Sequence, residues 1–199
     1  NWIEANAPET YIKIIEADRV SRDRNHGHGN AIAQVYNHLI MPLATECDQR
    51  TQIRWGIADF ERHFDRRPEG MWLAETAINL TTARLLVDEG IRFTILSPFQ
   101  AEKVRTFFSN AWEDVSTVTI DSTQPYRVFV DEKQTRYLDV FFYDASISSA
   151  VSFEHLLRDS RVFADRLLLA AGPKDGRPTL VHIATDGESY GHHEPFGDM

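Results

Sequence analysis

Two carboxylates lie just beyond short apolar runs, where they could take part in acid–base or covalent chemistry. Glu75 follows the run 71–74, and Asp186 follows the longer run 178–184. The longer run has the composition of a buried strand, and Gly187 beside Asp186 lets a backbone or a ligand approach closely. Two carboxylates at the same edge of one sheet are what acid–base or covalent glycosyl chemistry requires. Glu75 and Asp186 are therefore the first candidates for catalytic groups.

The elements around Glu75 form a strand–helix–strand pattern. Residues 80–89 place apolar side chains on one helical face, at Leu80, Ala83, Leu86 and Val87. Thr81 can cap the start of this helix, and Gly90 can close its end. Residues 91–96 are β-branched and aromatic, which is typical of a strand. Because this order implies a parallel sheet, we expect Glu75 just past the carboxyl end of a strand, where α/β folds build their sites.

Helices are predicted in four further segments, one of which begins at Ser152 and contains His155. The clearest is 48–64, where apolar residues recur at intervals of three and four, at Ile53, Ile57, Phe60 and Phe64. Another runs from Asn6, a possible cap, to about residue 22. Residues 100–110 are also predicted as a helix, with Val104, Phe107 and Phe108 facing inward.

Short strands are predicted in the remaining apolar segments. Residues 31–35 are interpreted as a strand that would bring His38 to the same edge as Glu75, although a helical turn fits these residues too. Residues 126–130 and 137–142 suggest a hairpin or two adjacent strands. Taken together, the pattern indicates an α/β fold.

Three ordered segments resemble the signatures of one enzyme family. Residues 72–75, Trp-Leu-Ala-Glu, are similar to the nucleophile motif of glycoside hydrolase family 57, with alanine where that motif commonly has proline. Residues 185–191, Thr-Asp-Gly-Glu-Ser-Tyr-Gly, are similar to its acid/base motif. Residues 36–43, Tyr-Asn-His-Leu-Ile-Met-Pro-Leu, are similar to its second signature. The resemblance spans roughly residues 26–199.

This resemblance implies a retaining glycoside hydrolase or transglycosidase acting on α-linked glucans, of the amylase, glucanotransferase or branching-enzyme type. It implies that Glu75 is the nucleophile and Asp186 the acid/base. In such enzymes the two carboxyl groups lie about 5–5.5 Å apart. The implied fold is parallel-stranded, part of an incomplete or distorted (β/α)7 TIM-like barrel of the glycoside hydrolase and deacetylase type.

Side chains next to the matched motifs are candidates for binding a sugar. His38, His192 and His193 can hydrogen-bond to hydroxyl groups, and Trp72 and Tyr190 can stack on the apolar faces of sugar rings. Each also has an ordinary structural explanation, since an aromatic beside a strand commonly packs in the core. His63 and His155 are predicted to lie on helix surfaces.

Size and charge narrow the class of protein. With 199 residues, 42% of them hydrophobic, the chain suits a single domain, 1–199, with a substantial core. It is short for a closed α/β barrel of about 250 residues, so we expect a fragment of a larger catalytic domain. The net charge of −9 and the scattered basic residues argue against nucleic acid or an anionic membrane as a partner.

Other compositional features bear on cofactors and location. The one cysteine, Cys47, excludes an internal disulfide and a cysteine-only metal site. No cofactor or metal is expected, and the expected partner is an oligo- or polysaccharide substrate. No segment has the length of a membrane span or the pattern of a signal peptide, so a cytoplasmic location is the default.

Two other functions fit the same residues. A metal-dependent hydrolase of the polysaccharide deacetylase type would use histidines with Asp186 as zinc ligands. The sequence shows no closely spaced ligand pair of the H-x₃-H kind. A non-catalytic glycan-binding domain on the same fold would need neither carboxylate for chemistry.

Overall fold

A computed structural model of the protein describes residues 2–117, 120–172 and 176–197. The helices are α1 (Trp2–Asn6), α2 (Pro8–Arg24), α3 (Glu46–Phe64), α4 (Leu80–Asp88), α5 (Ala145–Phe153) and α6 (Ser160–Ala170). The strands are β1 (Ala33–Gln34), β2 (Met71–Trp72), β3 (Phe93–Leu96), β4 (Lys103–Val104), β5 (Glu113–Asp114), β6 (Pro125–Phe129) and β7 (Tyr137–Phe142). Within these described ranges, no helix combines the length and the apolar character that crossing a membrane requires.

The chain divides into two compact units. The first unit comprises Asn1–Thr94 and Arg127–Asp139, and the second comprises Ile95–Tyr126 and Val140–Met199. The core of the first unit includes Met41, Ile53, Met71, Leu85 and Leu138. A smaller apolar cluster of the second unit is formed by Ile147, Ala150, Val151 and Leu156.

Helix α3 packs its predicted apolar face into the first unit. Ile53, Ile57 and Phe60 are buried, which confirms the helix predicted from their spacing. The helix begins two residues earlier than predicted because the Thr45 side chain caps it, accepting a hydrogen bond from the Asp48 N–H. Its last turn corrects one prediction, since the His63 side chain is buried rather than exposed and its Nδ1 lies 2.8 Å from the Tyr11 hydroxyl.

The strand–helix–strand prediction around Glu75 is confirmed. β1 and β2 are parallel, with Ala33 opposite Met71, and Gly70 forms a parallel bridge with Phe93 at the start of β3. Helix α4 lies between β2 and β3 and ends shortly before Gly90. Gly90 has a left-handed conformation, with φ of +84°. These elements confirm parallel strands in an α/β fold.

Two details of α4 differ from the prediction. The cap is Asn79, whose side chain accepts from the Thr82 N–H, because the helix starts one residue before Thr81. Leu80 is exposed and Leu85 is fully buried, so the buried face is rotated from the predicted one.

The predicted cap at Asn6 is also wrong, because Asn6 ends α1 and its side chain donates to the Trp2 carbonyl.

Strands β3, β7 and β6 lie side by side in that order. The Asp139 N–H donates to the Arg92 carbonyl and the Tyr143 N–H to the Leu96 carbonyl, so residue numbers rise together along β3 and β7. This is the register of a parallel pair. β6 and β7 are the predicted adjacent strands, and a hydrogen bond from the Val130 N–H to the Arg136 carbonyl closes the turn between them.

The helix predicted over residues 100–110 does not form. A single 3₁₀ turn, Pro98–Gln100, is closed by reciprocal hydrogen bonds between Ser97 and Gln100. Beyond it the backbone of β4 pairs antiparallel with β5, so its hydrogen-bonding groups serve a ladder rather than a helix. Phe107 and Phe108, predicted to face inward, are exposed.

The strand predicted over residues 178–184 is not formed either. The Leu180 N–H donates to the Thr123 carbonyl, the His182 carbonyl accepts from the Asp144 N–H, and the Ala184 N–H donates to Ser148 Oγ. These partners belong to a loop, a strand end and a helix side chain, so they do not form the ladder that defines a strand. The segment is partly buried without being part of a sheet.

Candidate active site

The carboxyl end of β2 is held from both sides. The Val35 N–H donates to the Trp72 carbonyl, which continues the pairing with β1. On the other side the Thr94 hydroxyl, fully buried in β3, donates to the Met71 carbonyl at 2.8 Å. Leu73 directly after the strand is fully buried. The chain therefore leaves the strand from a fixed point, and Trp72 itself is half-buried.

Glu75 stands on a tight turn with an unusual backbone. It lies in the 3₁₀ turn Ala74–Thr76, and both Glu75 and Thr76 have φ of +53°. A left-handed conformation at a residue other than glycine costs on the order of 1–3 kcal/mol and persists only where its surroundings impose it. Ala74 and Thr76 are both buried, whereas the Glu75 side chain is 70% exposed. The turn thus presents a carboxylate outward from a buried support.

His38 contacts this carboxylate directly. Its Nε2 lies 2.8 Å from Glu75 Oε1, a hydrogen bond between two largely exposed side chains. This confirms the expectation that the segment after β1 reaches the same edge as Glu75. Whether His38 also contacts a sugar stays a prediction, since its visible partner is the carboxylate.

Asp186, in the second unit, precedes another short turn. The Ser189 N–H donates to the Asp186 carbonyl and begins the 3₁₀ turn Gly187–Ser189, with Ser189 buried. The Asp186 side chain is exposed and makes no capping hydrogen bond within the part of the chain that the structure describes. Its position therefore depends on the irregular segment before it and on the turn after it.

The other candidates in the second unit cluster after this turn. The Thr185 hydroxyl donates to the Tyr190 hydroxyl at 3.1 Å. The rings of His192 and His193 lie edge to face with centroids 5.0 Å apart. Their backbone N–H groups both donate to the Glu188 carbonyl, which folds the segment back on the turn. Tyr190, His192 and His193 thus belong to one local structure.

The structure also reveals a carboxylate that sequence reasoning missed. Glu194 is largely buried, and it accepts hydrogen bonds from Arg158 Nε at 2.7 Å and from His155 Nδ1. These two partners, Arg158 first, hold the pKa of Glu194 below its ordinary value. His155 therefore does not lie on a helix surface as predicted, but just before a 3₁₀ turn with φ of +57°.

A pocket of about 290 Å³ lies beside this carboxylate in the second unit. It is lined by Val151, Ser152, Phe153, His155, Ser189, His193 and Glu194. Of the residues predicted to bind a sugar, His193 lines this pocket. A sequence signal for Glu194 was available, since it follows the two histidines that come directly after the last matched segment.

Asp144 and His182 lie in the second unit outside this pocket lining. The Asp144 side chain caps α5 by accepting a hydrogen bond from the Ile147 N–H. Burial lowers the pKa of His182, whose Nε2 has no hydrogen-bond partner among the described residues. In those same ranges, no three histidine, cysteine or carboxylate side chains are grouped so that they could hold a metal ion.

Comparison with known proteins supports the family resemblance. A 1,4-alpha-glucan branching enzyme of Thermococcus kodakarensis is 34% identical over 71 residues, which is 34% of this chain and 10% of that enzyme. The fold is similar to that of a 4-alpha-glucanotransferase from Thermococcus litoralis, with a TM-score of 0.66 and 16% identity. It is also similar to an exo-type maltose-forming amylase from Pyrococcus sp. ST04, with a TM-score of 0.70 and 19% identity.

These relatives are much longer than this chain. The match covers 99% of this chain and 29% of the glucanotransferase, and 98% of this chain and 30% of the amylase. The structural likenesses show a shared α/β fold. The model of glycosyl hydrolase family 57 matches residues 3–199, almost the whole sequence. The chain therefore belongs to glycosyl hydrolase family 57.

Proposed function

We propose that this chain supplies the catalytic residues of a retaining glycosidase or transglycosidase that acts on α-linked glucans. The observation that carries the proposal is the Glu75 turn, in which a carboxylate is presented from a buried strand end and is hydrogen-bonded by His38. Groups that react with substrate must be held by a rigid support, and strained backbone of this kind clusters at functional sites. The names of the relatives, all enzymes of α-glucan chemistry, support the substrate class.

In the proposed reaction Glu75 is the nucleophile and Asp186 the acid/base. A carboxylate oxygen of Glu75 bonds to the anomeric carbon while the glycosidic C–O bond breaks, and Asp186 donates its proton to the departing oxygen. Asp186 then takes a proton from water or from a sugar hydroxyl. The oxygen of that acceptor bonds to the anomeric carbon and releases the Glu75 carboxylate. Two inversions at one carbon give net retention.

His38 is assigned a positioning role in this scheme. The Glu75 carboxylate carbon is three bonds from the Cα and can rotate about its side-chain torsions, and the hydrogen bond from His38 restricts this rotation. Trp72, Tyr190, His192 and His193 are proposed to contact the glucan. The finer architecture, an incomplete or distorted (β/α)7 barrel, is part of the same proposal and is supported by the parallel register of β1 with β2.

The proposal is tested by the stereochemistry of the first product. The full-length protein is incubated with starch, glycogen or maltooligosaccharides, and the anomeric form of new reducing ends or linkages is followed by NMR before mutarotation. We expect the α-anomer and loss of turnover in Glu75→Gln. A β-anomeric product would overturn the two-step mechanism. Glucan binding without any turnover would leave a glycan-binding domain instead of an enzyme.

A further inference from the structure

An exposed pair of aromatic rings lies on the first unit, and one of them, Tyr36, is two residues before His38. Tyr36 and Trp55 contact each other edge to face, with ring centroids 5.6 Å apart and an angle of 83° between the rings. About half of each residue is exposed to solvent. Tyr36 follows β1, which pairs with the strand before Glu75, and Trp55 lies on α3.

The backbone beneath this pair is fixed. The Tyr36 N–H donates to the Gln52 carbonyl, and the Asn37 N–H donates to Gln52 Oε1 at 2.7 Å. Helix α3 approaches β1 so closely at Gly56 that an added Cβ would lie 2.0 Å from the Gln34 carbonyl oxygen. The two rings are therefore carried by segments that are packed together, and binding to them would not require ordering a loop.

The pair adjoins the proposed nucleophile through His38. Two residues of chain span at most about 7 Å, so the backbones of Tyr36 and His38 are neighbours. His38 in turn is hydrogen-bonded to Glu75. A glucan bound with one unit at Glu75 extends by further units of similar size, and a surface next to His38 is within reach of an adjoining unit.

We propose that Tyr36 and Trp55 form a binding subsite for a glucose unit of the α-glucan next to the unit attacked by Glu75. This inference rests on the proposed function. A hexose ring has an apolar face of C–H groups and a rim of hydroxyls, and this combination suits an aromatic face beside a polar group. Trp55 supplies the apolar surface, while Tyr36 adds a second ring and a hydroxyl.

The test separates binding at the pair from turnover at Glu75. Trp55→Ala and Tyr36→Ala are made in the full-length protein, each with and without Glu75→Gln. Binding of maltooligosaccharides of increasing length is measured by calorimetry in the Glu75→Gln background, and KM and kcat are measured with Glu75 present. Losing a stacked ring should raise the dissociation constant for long oligosaccharides by about 3- to 10-fold, with a matching rise in KM.

Two control variants make the result specific. Trp55→Phe keeps an aromatic face and should retain most of the affinity. Trp112→Ala removes an exposed tryptophan of the second unit and should leave the affinity unchanged. Because Trp55 is exposed, its replacement should keep the thermal midpoint close to that of the parent protein.

The outcomes distinguish the two proposals. Glu75-dependent turnover with unchanged KM and dissociation constants in both alanine variants would overturn the subsite and leave the enzyme assignment intact. Turnover that survives Glu75→Gln would instead overturn the assignment of Glu75 as the nucleophile, and loss of turnover with binding retained would leave that assignment in place. A loss of affinity that is equal for short and long oligosaccharides would also contradict the subsite, because it would indicate a general effect on the fold.

Discussion

The two segments that carry the proposed catalytic carboxylates are built in different ways. Glu75 follows a strand that is hydrogen-bonded on both sides, and residues on either side of it are buried. Asp186 follows a segment whose hydrogen bonds go to a loop, a strand end and a helix side chain. The first carboxylate is positioned by a ladder, and the second by a set of separate contacts.

This difference bears on how the two groups tolerate change. A ladder distributes the support over several backbone hydrogen bonds, so the position of Glu75 follows the stability of the first unit. Separate contacts allow local movement without loss of the surrounding fold, because stability varies across a structure. We therefore expect that replacing the carboxyl group of either residue lowers turnover strongly. Substitutions that weaken packing should lower turnover mainly through the position of Glu75.

The largest effect is expected for Glu75→Gln in the full-length protein. The amide is nearly isosteric but cannot form the covalent intermediate, so turnover of α-glucans should fall by roughly 10³-fold or more. Steady-state rates on maltooligosaccharides provide the measurement. Glu132→Gln, an exposed glutamate in the turn between β6 and β7, is the matched control and should leave the rate unchanged. Comparable rates in the two variants would remove Glu75 from the mechanism.

Asp186→Asn should have a smaller and more selective effect. Loss of a general acid typically costs 10²–10⁴-fold, and the loss should shrink for substrates whose leaving group departs without protonation. Rates with a natural oligosaccharide and with an activated aryl glycoside give the comparison. An equal reduction for both substrates would argue against an acid/base role.

A pair of isosteric substitutions compares the packing of the two units. Thr94→Val leaves the Met71 carbonyl without its buried donor and should lower the free energy of unfolding by about 1–3 kcal/mol. Thr179→Val in the second unit removes a part-buried hydrogen bond to the Ala171 carbonyl and should cost less than about 1 kcal/mol. Urea unfolding of each variant measures both. A larger loss of unfolding free energy for Thr179→Val than for Thr94→Val would contradict the expectation that packing matters more in the first unit.

The smallest effect concerns stability at acid pH. Each unit contains a glutamate that is hydrogen-bonded by a histidine and an arginine. Glu69 accepts from His28 and Arg92, which hold its pKa below the ordinary value, as Arg158 and His155 do for the pKa of Glu194. A carboxylate with a lowered pKa stabilises the fold above its unfolded pKa of about 4.3, and this contribution is lost as the pH falls through the folded value.

Glu69→Gln and Glu194→Gln should each make unfolding less dependent on pH below about 4.3. Hydrogen exchange followed separately in the two units measures the effect. Glu132→Gln again serves as the control, since its side chain is exposed. A variant whose acid sensitivity equals that of the parent would show that its ion pairs do not contribute.

Much of the first unit could be predicted from its sequence. The spacing of Ile53, Ile57 and Phe60 specified α3, and the series of strand, helix and strand specified the parallel order around Glu75. These predictions succeeded because periodic burial and chain order are local properties of the sequence. The shared edge of His38 and Glu75 was predicted by placing both at the carboxyl ends of neighbouring parallel strands, whereas their hydrogen bond is seen only in the structure.

The errors lie where distant partners decide the structure. Residues 178–184 have the composition of a strand, but no single neighbouring strand offers them a ladder within the described residues. The helix predicted near Phe107 was replaced by an antiparallel pairing of Lys103–Val104 with Glu113–Asp114, about ten residues further along the chain. The left-handed turn at Glu75 has no local signature, because glutamate and threonine do not favour that conformation. Glu194 was missed because its partners are 36 and 39 residues away.

The backbone of the Glu75 turn sets activity against robustness. Glycine adopts a positive φ readily, so Glu75→Gly should relieve strain and could fold at least as well as the parent chain. A mutant library sorted only for heat resistance would then discard the carboxylate, whereas one sorted for glucan turnover would keep it. Directed evolution of this protein for higher thermal stability should therefore screen for activity in every round.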